Sequence, residues 1–246
     1  QGHQTMSFLV LMQGQIILLD AGSGVARLLE EPAAALVQPY ASLSILLSHY
    51  HLDHVVGLTY LTAIWQNKPL TIYAPDKPLV EASANETLNT LIHPPYFPVP
   101  FPNYPAPVSI VPVSNTSIQL GPIAVRLRPQ KHTGGSVAIR LGDDIAYVTD
   151  TVVDQANLEF VRGVKLLLHE VWLDDAQVPA AEAERTGHSY ASGVVRLATE
   201  AGVGSMMIVH HHPRRSTAEI CQTAVAAQAR TNIPIIVPDE GHVYEV

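Results

Sequence analysis

Short apolar runs, broken by glycine, proline or small polar residues, set the rhythm of this chain. Two of them, 7–12 and 15–20, lie on either side of Gly14 and predict a pair of strands. Further strands are predicted at 43–47, 70–74, 108–113, 123–128, 136–141, 145–149, 164–168, 205–209 and 234–237, with the turn Gly142-Asp143-Asp144 making a hairpin of 136–141 and 145–149. Mixed polar and apolar spacing predicts helices near 25–37, 57–65, 76–92, 154–162, 188–201 and 216–230. Prolines crowd 93–107 and exclude regular structure there, leaving either a surface connector or, with Tyr96, Phe97 and Phe101, a lid or pocket wall. A strand meander followed by alternating strands and helices predicts two sheets between helix layers. No stretch reads as a linker, so residues 1–246 are expected to form a single domain.

The polar residues that follow these strands change the picture. The strand at 43–47 leads into His49, His51, Asp53 and His54, and 123–128 precedes His132. The strand at 145–149 leads to Asp150, 164–168 to His169 and Glu170, and 205–209 to His210, His211 and His212. Ligands gather where neighbouring strands end together. In an extended segment, positions i and i+2 share a side, so His49 and His51 can grip one ion; a helical turn after them would aim Asp53 and His54 at a second. Imidazole and carboxylate suit zinc, with manganese and iron as competitors. Taken alone, His132 could be a satisfied polar group and Asp150 a helix cap. His3, His93 and His242 show no partner pattern. Trp65 and Trp172 read as core or pocket wall.

Composition narrows the options. The chain has 246 residues, 47% of them hydrophobic and 15% charged, enough apolar matter for a sizeable core. Its net charge is −8, and its 14 lysines and arginines show one small cluster, Arg214-Arg215. A protein gripping long nucleic acid needs a basic surface, so that partner is disfavoured and a small anionic substrate is expected. No apolar run approaches the ~20 residues that cross a bilayer, and without a basic stretch followed by an apolar one at the start, no signal peptide is expected. With the single Cys221, this predicts a cytoplasmic protein without membrane contact.

The run His49-Tyr50-His51-Leu52-Asp53-His54 resembles the His-x-His-x-Asp-His signature of the metallo-β-lactamase superfamily, and His132, Asp150 and His210 follow in that family's order. Glu170, Gly187-His188-Ser189 and the closing Val209-His210-His211-His212-Pro213 make the chain most similar to the ribonuclease Z-like, small phosphodiesterase branch. The resemblance implies an α/β, αββα four-layer sandwich, with two mixed sheets flanked by helices. It implies two divalent ions, zinc first and manganese or iron as alternatives. Metal one would be held by His49, His51 and His132, and metal two by Asp53, His54 and His210, with Asp150 bridging. It also implies hydrolysis of a small or cyclic phosphodiester by a hydroxide bridging the metals, with Asp53, His188 and Glu170 as catalytic residues, and a homodimer. The start of the helix at Ser189 could bind phosphate, while Tyr96 and Phe97 could cover a base or leaving group.

The chain departs from the family twice. It lacks a first strand before the segment at 4–12, so natural first residues are expected to be missing, and it has no Gly/Pro-rich arm for transfer RNA. A transfer-RNA 3′ endonuclease therefore ranks lower. Other readings are an ester, lactone or thioester hydrolase on the same metals, and a metal-binding scaffold without turnover.

Overall fold

A computed structural model describes residues 4–175 and 180–246; His3 lies outside the described residues. Its residues group into two compact units, one ending at Asn115 and the other beginning at Thr116.

The first unit holds a five-stranded sheet: β1 (Phe8–Met12), β2 (Gln15–Leu19), β3 (Leu43–Leu46), β4 (Leu70–Pro75) and β5 (Val108–Val113), in that spatial order. β1 and β2 form a hairpin with Met12 opposite Gln15, turned by Gln13 and Gly14, both at positive φ. That conformation matches the twist of a two-residue hairpin. The remaining pairs are parallel, so β2 and β3 end at the same edge of the sheet. Ile16, Leu18, Leu43, Ile45, Leu70 and Ile72 bury one core with Val25, Leu58 and Trp65.

The helices of this unit are shorter than predicted. The stretch expected over 25–37 divides into a 3-10 segment, Ser23–Leu29, and a helix, Ala33–Val37, because Pro32 cannot continue the first. Of 76–92 only Ala84–Leu91 is helical, and Pro78 lies in the irregular part. The proline-rich stretch packs on its own unit: Phe101 and Tyr104 are buried, and the Tyr104 hydroxyl donates to the Leu58 carbonyl. Phe97 lies against the same core and Tyr104, so of the pair suggested to cover a substrate only Tyr96, 72% exposed, stands clear.

The second unit holds a seven-stranded mixed sheet: β6 (Ser117–Leu120), β7 (Ile123–Gln130), β8 (Ser136–Leu141), β9 (Ile145–Val148), β10 (Leu166–Glu170), β11 (Ser205–Val209) and β12 (Ile235–Ile236). Its order is β12-β11-β10-β9-β8-β7-β6. β6 was not foreseen, nor was the helix Ala180–Thr186. β9 to β12 are parallel, while β8 is antiparallel to both β7 and β9. The carboxyl ends of β7, β9, β10 and β11 therefore share one edge. The helix Ala191–Ala201 covers one face through Val194, Val195 and Ala198, packed with Ala146, Val148, Leu167 and Ile208. No helix among the described residues is long and apolar enough to cross a membrane.

Candidate metal centre

In the first unit the donors stand where β2 and β3 end. Asp20 follows β2 at φ 56, in the left-handed region that few side chains tolerate, and is fully buried. Its Oδ1 accepts from the Ser48 amide at 2.6 Å, and its Oδ2 accepts from the Ser48 hydroxyl and His54 Nδ1, both at 2.7 Å. Because the Ser48 hydroxyl donates to Asp20, its oxygen accepts from His49 Nδ1 at 2.9 Å. Both imidazoles thus carry their proton on Nδ1, leaving Nε2 as the lone-pair nitrogen. The His49 ring centroid lies 4.5 Å from that of His51 and 4.3 Å from that of His54. His51 caps the helix Leu52–Val55, which carries Asp53 and His54 on its first turn. His54 Nε2 lies 3.4 Å from Asp53 Oδ2, and the Asp53 side chain is 43% exposed.

This turn needs glycine. A Cβ on Gly22 would lie 2.3 Å from the Asp53 carbonyl oxygen, and one on Gly57 would lie 2.1 Å from that of Gly22. Only bare backbone lets the turn after β2 press against the helix that holds Asp53 and His54.

In the second unit, His132, Asp150, Glu170, His188 and His210 come together. Asp150 follows β9 at φ 47 and His210 follows β11 at φ 50, so both occupy strained backbone. The Asp150 carbonyl accepts from Ser136 Oγ, and its Oδ2 accepts from Thr149 Oγ1. His132 Nδ1 lies 3.0 Å from the Gly187 carbonyl, which can only accept. Its Nε2 lone pair therefore faces Asp150 Oδ1 at 3.3 Å. His210 repeats the pattern, with Nδ1 3.3 Å from Glu170 Oε2 and Nε2 3.5 Å from Asp150 Oδ2. Lone pairs on two imidazoles aimed at one carboxylate repel unless a cation sits among them. This donor set thus fits a divalent ion.

Glu170 is fully buried and saturated with donors. Oε1 accepts from the amides of Thr151 and Ser189 at 3.1 and 2.8 Å; Oε2 accepts from His188 Nδ1 at 2.9 Å and from His210. Burial pushes its carboxyl toward the neutral form, but the bonds from His188 and His210 outweigh this and hold it below the usual carboxylate range.

Several sequence expectations need correction. His169 and Glu170 occupy the last two positions of β10 rather than following it, so alternation sends them to opposite faces. His169 is fully buried with Nδ1 on the Glu170 carbonyl. His211 is bonded to the Val171 carbonyl, and burial pushes its pKa down to about 4. His212 lies edge-on to Trp172. The helix expected from 188 begins at Ala191, and its first amides are engaged by the Leu173 carbonyl and the Asp175 carboxylate, while Ser189 serves Glu170. The Ser189, Ala191 and Ser192 amides are thus already taken by protein acceptors rather than held out for a phosphate. His93 bonds the Pro94 carbonyl, and His242 lies against Tyr244. Asp20 and Ser48 were not foreseen. The signal was present, since Asp20 directly follows an apolar strand just as Asp150 does.

Comparison with known proteins agrees with this geometry. Residues 15–211 match the family model described as the beta-lactamase superfamily domain. Ribonuclease BN from Escherichia coli O1:K1 is 27% identical, covering 80% of this chain and 79% of its own length. Ribonuclease Z from Synechococcus sp. strain CC9605 is 39% identical over 75 residues, or 30% of this chain; that match spans only 23% of the relative's length. Among solved structures, the metallo-β-lactamase fold protein YhfI from Bacillus subtilis shares the fold with a TM-score of 0.74 at 19% identity, covering 98% of this chain and 91% of its own. The chain therefore belongs to the beta-lactamase superfamily, a superfamily of metal-dependent hydrolases, and within it is similar to ribonucleases Z and BN.

Proposed function

We propose that the chain, acting as one hydrolase domain, cleaves a small or cyclic phosphodiester at a centre of two divalent metal ions. The observation that carries this is the buried Glu170 carboxylate holding His188 by Nδ1, beside imidazoles whose Nε2 atoms face Asp150. In this reading His49, His51 and His132 hold metal one, Asp53, His54 and His210 hold metal two, and Asp150 serves both. Zinc fits these donors, with manganese or iron as competitors. Such a pair, when bound, acidifies a water and stabilises charge developing on a phosphoryl group.

The chain's own residues supply orientation and proton transfer. Asp53, tied to His54 yet partly exposed, orients the attacking water. Glu170 accepts a hydrogen bond from His188 Nδ1 and so directs Nε2 outward; once protonated on both nitrogens, the ring can give its Nε2 proton to the leaving oxygen and return to the Nδ1–H form. Small substrates fit the charge: the net charge is −8, and Arg215 of the one arginine pair is 4% exposed and faces Asp174 rather than solvent. Ribonuclease BN and ribonuclease Z are named for RNA, whose linkages are phosphodiesters, which supports the bond type.

The test is turnover of bis(p-nitrophenyl) phosphate against a p-nitrophenyl ester by protein loaded with zinc or manganese. Metal-dependent diester cleavage is expected, with close to two metal equivalents per chain. Ester turnover without metal-dependent diester cleavage would favour the ester, lactone or thioester reading. A second assignment has its own observation: donor atoms of Asp150, Glu170, His188 and His210 all lie within 4.8 Å of one another, so His188 could be a ligand. His188→Ala should keep its metal and lose about 10²–10⁴ in turnover if His188 is a proton donor; lost metal would make it a ligand.

A further inference from the structure

Trp172 lies between the two loops that carry His188 and His210. Its amide donates to the Ser189 carbonyl at 3.2 Å, and its carbonyl accepts from the His212 amide at 3.4 Å. Its ring stacks on His188 at 4.1 Å with an interplanar angle of 11°, and on His210 at 4.9 Å and 24°. The two imidazole centroids are 5.8 Å apart, so they stand about 80° apart as seen from the indole; rings stacked on opposite faces would stand well beyond a right angle apart, and both therefore lie on one face. Both also point Nδ1 at the same oxygen, Glu170 Oε2.

A single hydrogen bond fixes one atom of an imidazole and leaves the ring to swing about the bond. Two rings competing for one carboxylate oxygen make that freedom worse, since either can tilt away or change tautomer while the other holds on. A flat apolar surface beneath both removes the tilt, because offset stacking penalises rings that leave the plane. We propose that Trp172 is a positioning residue: its indole is the platform that holds His188 and His210 coplanar enough to share Glu170, keeping both in the Nδ1–H tautomer with Nε2 outward. This rests on the role given above to His188, but its structural part does not depend on the reaction.

The platform predicts that flatness, not bulk, matters at position 172. Trp172→Phe keeps a planar face, while Trp172→Leu fills space without one. In zinc-loaded protein carrying ¹⁵N-labelled histidine, His188 should show one Nδ1–H tautomer in the native chain and in Trp172→Phe. In Trp172→Leu its two ring nitrogens should move toward the average of the tautomers. On bis(p-nitrophenyl) phosphate, Trp172→Leu should lower kcat about tenfold with KM little changed, and Trp172→Phe should stay within about threefold of native. Equal histidine spectra for the Leu and Phe variants overturn the platform, whatever the rates. A native protein that shows no diester cleavage overturns the phosphodiesterase reading alone, because the spectra still report on the platform.

Discussion

The two units assemble their donors by opposite routes. In the first, His49, His51, Asp53 and His54 are nearly consecutive, and one extended-to-helical switch at His51 arranges them. In the second, His132, Asp150, Glu170 and His210 are spread along the chain and meet because β7, β9, β10 and β11 end at one edge, and the loop before the helix Ala191–Ala201 adds His188. Yet both place a buried carboxylate behind their imidazoles, Asp20 in one and Glu170 in the other, and both seat an acidic residue in left-handed backbone. A local motif and a dispersed one therefore reach the same end: imidazoles with Nδ1 satisfied and Nε2 presented.

The comparison can be broken most sharply at Asp150, which the Nε2 atoms of His132 and His210 both face. Asp150→Ala should reduce turnover to background and bring metal content below two equivalents by elemental analysis; full metal and turnover would remove it from the centre. Next come the two supporting carboxylates. Asp20→Ala should weaken metal affinity about 10–100-fold, as losing a partner behind a ligand does. Glu170→Ala should also cut turnover further, because it frees His188 as well as His210. Equal ratios of affinity loss to rate loss in both variants would mean that the carboxylates do the same job.

A smaller effect is expected from Gly22→Ala, whose Cβ must displace the Asp53 carbonyl from 2.3 Å. Such overpacking should cost about 1–3 kcal/mol in denaturant unfolding. The smallest concerns His169. Burial holds this ring neutral, with its pKa below the ordinary imidazole value. As pH falls below about 6.5 the unfolded chain binds the proton first, so the folded state loses up to about 1.4 kcal/mol per pH unit. His169→Leu should flatten that acid loss, seen as a smaller drop in Tm between neutral and mildly acid buffer.

The run at 49–54 was legible because its spacing and its local conformation are the same information. His132, Asp150 and His210 were legible as polar residues following apolar strands, whose ends gather in space, though which of them would share a metal came from the family resemblance. Asp20 obeys the same rule and went unnoticed because a lone aspartate before Ala-Gly reads equally well as a turn. His169 and Glu170 looked like a pair until the strand was found to run two residues further.

By itself the chain determined which residues could bind metal, where the strands lie that carry most of them, and which residues supply the turns, because those follow from residue chemistry and from short-range periodicity. Only the tertiary structure decided which nitrogen of each imidazole is presented, that Glu170 serves both His188 and His210, that the helix start after Ser189 is already occupied, and that Trp172 lies flat beneath two rings. Those facts depend on which strands are neighbours and where each one stops. Sheet order and register set both, and neither is written in any local stretch of the chain.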